Sequence, residues 1–104
     1  MDATMIVVKA RKKPVEIEAM YFDGTANSAK AIFTWISNNT KTHGPHDAVR
    51  ADIETLNGVA TLYIDTLEGT MEAPSGWWII RGVKGEFYPC RDDIFKQTYD
   101  IIER

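Results

Sequence analysis

Residues 69–99, GTMEAPSGWWIIRGVKGEFYPCRDDIFKQTY, decide the fold, because most of the aromatic side chains and most of the glycines are concentrated there. Trp77, Trp78, Ile79 and Ile80 form one β-prone apolar run. Gly82, Val83, Lys84 and Gly85 supply a turn, and residues 86–90 return as a second strand before Arg91, Asp92 and Asp93 open a helical turn. The reading is a β-hairpin feeding a short helix.

Working back toward the amino end, Val49, Ala51 and Ile53 alternate with Arg50, Asp52 and Glu54 as one strand and residues 59–66 form its partner, on either side of Asn57-Gly58. That dipeptide is the strongest hairpin signal in the chain, since a type I′ turn needs positive φ at both central residues. Leu62 and Ile64 are expected inward, Tyr63 and Asp65 outward. Residues 67–69 form a further tight turn and 70–73 a short strand. Before the hairpins, Ala29, Ile32, Phe33 and Ile36 recur at helical spacing, with Thr25, Asn27 or Ser28 available to cap and Asn38-Asn39 to stop the helix in a left-handed conformation. Earlier still, residues 15–22 alternate as a strand with Val15, Ile17, Ala19 and Tyr21 on the buried face. After the central hairpin, Asp92 or Asp93 caps a short helix, and residues 99–102 are read as a last strand.

Strands joined by turns of two to four residues must pair antiparallel. The expected fold is therefore α+β: a bent antiparallel sheet of hairpin-linked strands, one main helix packed on one face and a short C-terminal helical turn. Residues 1–13 read as a basic N-terminal arm, carrying Lys9, Arg11, Lys12 and Lys13 against Asp2 alone, and 14–104 as a single domain.

The 104 residues are 44% hydrophobic and 26% charged, the balance of a globular domain large enough to bury one core without staples. A net charge of −3 argues against duplex nucleic acid as a partner, which demands a strong positive field. Cys90 is the sole cysteine, so no internal disulfide forms and a reducing compartment is expected. The apolar run at residues 5–8 is far too short for a membrane span.

Residues 12–19 (KKPVEIEA), 66–69 (TLEG), 78–90 (WIIRGVKGEFYPC), 93–95 (DIF) and 98–99 (TY) together resemble a family of short uncharacterised proteins of tailed bacteriophages and prophages of Gram-positive hosts. The family has Gly-Asp where this chain has Gly76-Trp77, and Pro where it has Asp92. The resemblance implies phage origin and the host cytoplasm, and it brings no catalytic residues with it.

Candidate chemistry is sparse. His43 and His46 lack partners at a recognisable ligand spacing, and Gly82 to Gly85 lacks the Gly-Lys-Ser/Thr ending of a phosphate loop. Cys90 reads as a structural thiol, and no metal or cofactor is implied. Neighbouring Trp77 and Trp78 must point to opposite sides of a strand. If Trp78 and Ile80 face the helix, Trp77, Ile79 and Arg81 form an uncovered row suited to a protein partner or to self-association as a homodimer. The first alternative is a small anionic, ring-containing ligand such as a nucleotide, held by Arg81, Lys84 and Arg91 with Trp77, Tyr63 or Tyr88. An enzyme is the weakest reading, because no nucleophile-base-orienter set is visible.

Overall fold

A computed structural model describes residues 7–11, 13–40, 51–66 and 68–103. The His43 and His46 loop, Lys12 and Leu67 lie outside them.

Helix α1 (Ala26–Asn38) begins where Thr25, in extended conformation, accepts the Ser28 amide on its hydroxyl at 3.1 Å. Asp23 holds that cap in place, accepting from both the amide and the hydroxyl of Thr25, and these bonds draw its carboxyl below the ordinary range. At the far end Asn39 has φ −108°, so the stop is not left-handed as expected. The last carbonyls are satisfied by side chains and by tightened backbone bonds: the Asn39 side chain donates to Trp35 and the Thr40 hydroxyl to Ile36, while the Asn39 and Thr40 amides donate to Ile36 and Ser37.

The strands are antiparallel, and they divide into two three-stranded sheets. The first, in order β1-β5-β6, joins β1 (Glu18–Tyr21), β5 (Trp78–Arg81) and β6 (Phe87–Cys90). The second, in sequence order, joins β2 (Ala51–Leu56), β3 (Val59–Thr66) and β4 (Gly69–Ala73). Asn57 and Gly58 both have positive φ, 53° and 78°, as the type I′ turn between β2 and β3 requires. The β5–β6 turn is closed by the Gly82 amide donating to the Glu86 carbonyl at 2.7 Å. Pro89, which has no N–H to give, sits on edge strand β6. The short helix α2 (Asp92–Thr98) follows. Its N-cap residue is Arg91, not Asp92 or Asp93, which lie inside the first turn.

One core forms where α1 and both sheets meet. Ala29, Ile32 and Ile36 from α1, Leu62 and Ile64 from β3, and Ile79 and Phe87 from the first sheet are buried together with Phe22. Each fully buried aliphatic side chain there contributes about 1.5–3 kcal/mol, whereas an exposed ion pair such as Arg91–Asp93 is screened by solvent and adds little. Packing therefore decides the fold, with surface charge a minor term.

Three further expectations are corrected. Ile79, not Trp78, faces α1: it has no accessible surface and belongs to the main core, while Trp78 looks the other way and stacks on Phe95 of α2 at 4.2 Å between ring centres. The first strand is inverted in the same sense. Phe22 is buried and Met20 packs on the main core, whereas Val15 and Tyr21 are each 47% exposed. The physical reason is common to both: the first sheet is covered on one side by α1 and the second sheet, and on the other by α2. Finally, residues 99–102 form no strand.

Candidate functional site

The row proposed from sequence is not a surface. Ile79 is fully covered, and Trp77 and Arg81 lie four residues apart, about 13 Å along a strand. Trp77 is half-buried just before β5, where its carbonyl accepts the Phe22 amide at 2.9 Å.

The residues expected to hold an anion do not converge. Arg81 stands at the turn end of the β5–β6 hairpin opposite Phe87, whereas Arg91 follows the other end of β6 and is engaged twice by Asp93, at 2.6 and 2.9 Å. Lys84 is exposed on the turn itself. Tyr63 belongs to the second sheet and donates to Glu54 at 3.2 Å. Burial, then Glu54, Glu72 and Asp52, push its phenol up, so that neighbourhood repels anions. The Tyr88 hydroxyl is also pushed well up, by burial first and then by its bond to Tyr99. Cys90 is half-buried, and burial raises its thiol, which keeps the reactive thiolate scarce. Among the described residues no group of three or more His, Cys, Asp or Glu is placed to hold a metal ion.

What the fold does leave open is the outer edge of β1. Phe22 directs its amide to Trp77 and accepts the Gly76 amide, so by the two-residue period Met20 and Glu18 also turn their backbone groups toward β5. Ala19 and Tyr21 turn theirs outward. The Tyr21 carbonyl accepts the Ser28 hydroxyl there, but among the described residues the Ala19 amide and carbonyl bond to nothing. Residues 14–17, just before β1, have no strand partner among the described residues.

This edge is flanked by two grooves. One, of about 800 Å³, lies on the α1 side between Met20, Trp35, Arg81 and Val83, with Glu16 and Glu18 at its mouth. The other, of about 640 Å³, lies on the α2 side against Val15, Ala19, Trp78 and Phe95, with Asp100 and Glu103 along its rim. Glu16, Ile17, Ala19, Ile102 and Glu103 border both. Among the lining residues Arg81 is the one base, and its guanidinium is bound to Glu18 at 2.8 Å. Apolar and acidic side chains thus line both sides of an unpaired strand edge. An added strand would send alternate side chains into the two grooves.

Of these residues only Arg81 was singled out from sequence. The available signal was the mismatch in length between the strand pattern of residues 15–22 and the four-residue WIIR strand that pairs with it.

Comparison with family models, with curated proteins and with solved structures returned no match.

Proposed function

We propose that this is a non-catalytic binding protein, an accessory protein of phage origin acting in the host cytoplasm, that holds an extended segment of a protein partner as a strand added to β1. The open edge between two grooves lined by apolar and acidic side chains carries this reading. Main-chain hydrogen bonds would supply the affinity, and the grooves would select apolar and basic side chains. The separation of Arg81, Lys84 and Arg91 speaks against the anionic-ligand alternative. No helix among the described residues is long and apolar enough to cross a membrane.

The test is titration with a synthetic peptide of alternating valine and lysine, followed by amide hydrogen exchange. Exchange at Ala19 should slow on binding. Ala19→Pro removes only an outward N–H, so it should fold and lose the peptide. Equal binding by the folded variant would overturn the reading.

A further inference from the structure

Resting on that reading, we infer that the natural occupant of the β1 edge is the N-terminal arm of a second copy of this chain, exchanged across a two-fold axis to make a continuous six-stranded sheet.

The arm has the properties the edge selects. Val7 and Val8 are 93% and 74% exposed, and Lys9, Arg11 and Lys13 are exposed beside them. Among the described residues none of these makes a hydrogen bond or an ion pair within the protomer. A basic, partly apolar, unpaired segment is thus joined directly to an acid-rimmed strand edge. Its own edge is a poor fit: only residues 14–17 separate the arm from β1, and PVEI offers no turn residue beyond Pro14 to fold the arm back. A second copy has no such constraint.

Backbone parity restricts the pairing to registers in which odd-numbered residues face odd-numbered ones, and an axis at Val15 is one of them. Residues facing each other across antiparallel strands share a sheet face, and in β1 the odd-numbered residues carry the outward backbone groups. With the two-fold axis at Val15, Lys13 of the second copy lies beside Ile17 and its Arg11 beside Ala19. Both basic side chains then enter the α2-side groove, whose rim is Asp100 and Glu103. Ala10 of the second copy falls opposite Met20 on the α1 side. Pro14 turns its missing N–H away from the new ladder, so it does not interrupt the pairing.

Sedimentation of the full chain is the experiment. The wild type should be a dimer that loosens with salt, as contacts between exposed charges do. The triple variant Lys9→Glu, Arg11→Glu, Lys13→Glu should raise the dimer dissociation constant by roughly tenfold or more, and Ala19→Pro should be a folded monomer. In a Cys90→Ser background, Ala10→Cys with Met20→Cys should oxidise to a covalent dimer. A product of twice the mass reports the bond between copies, whereas a bond within one copy would leave the mass unchanged. A wild type that stays monomeric at millimolar concentration overturns the inference. So does a dimer indifferent to the charge reversals, which also decide the matter should Ala19→Pro fail to fold. If the wild type is monomeric yet the valine-lysine peptide still binds and Ala19→Pro blocks it, only the exchanged arm is refuted; if the peptide fails as well, the edge is no binding site.

Discussion

Trp78 and Asp92 are joined across the α2-covered face of the first sheet: the indole Nε1 donates to Oδ1 at 2.8 Å, and the second carboxylate oxygen meets Lys96 at 2.9 Å. The same indole lies nearly parallel to Phe95, at 14°, and takes the edge of Tyr21. One side chain thus ties β5, β1 and α2 together, and it forms the inner wall of the α2-side groove.

Trp78→Ala should therefore cost about 3 kcal/mol, since it removes a large packed ring. Trp77→Ala should cost clearly less, because Trp77 makes no ring contact among the described residues. Thermal or urea melts of the two neighbours check this. Equal losses would mean that Trp77 is as much a packing element as Trp78.

Asp92 also carries a pH signature. Bonds from Trp78 and then Lys96 hold its carboxyl below the ordinary 3.8. A depressed carboxyl contributes stability that is present above the unfolded value and lost as pH falls through the folded one. The urea midpoint of the wild type should then exceed that of Asp92→Asn near neutrality, and the gap should close below about pH 3.8. A gap that persists unchanged into stronger acid would show that the charge of Asp92 is irrelevant and only its shape matters.

Two glycines separate backbone strain from steric contact. At Gly58 a methyl group would meet nothing within 4 Å, so Gly58→Ala costs only the positive φ, about 1 kcal/mol. At Gly24 the φ is likewise positive, +87°, and the methyl would stand 2.6 Å from the Ser75 hydroxyl oxygen and 3.0 Å from its Cβ. Gly24→Ala should be the more damaging of the two in denaturant titrations. The reverse order would mean that the Ser75 loop yields freely.

Much of this architecture is local and was legible in the residues themselves. The Thr25 cap, the Ala29-Ile32-Ile36 stripe, the Asn57-Gly58 turn, the inward Leu62 and Ile64 and the hairpin around residues 82–85 each follow from side-chain or backbone preferences that act over a few residues. Antiparallel pairing and the α+β class follow from turn length. The facing of β1 and β5 did not, because a strand apolar on both sides gives the same signal in either orientation. Ile79 went to the main core and Trp78 to the far side because the Arg91-Asp92-Asp93 segment returns as α2 and covers the second face, a contact between residues 14 apart. The open edge was equally invisible in sequence. Whether residues 14–21 are central or peripheral depends on strand order, and order is decided only when β5 takes β6 on its other side and leaves the outward backbone of Ala19 without a strand partner among the described residues.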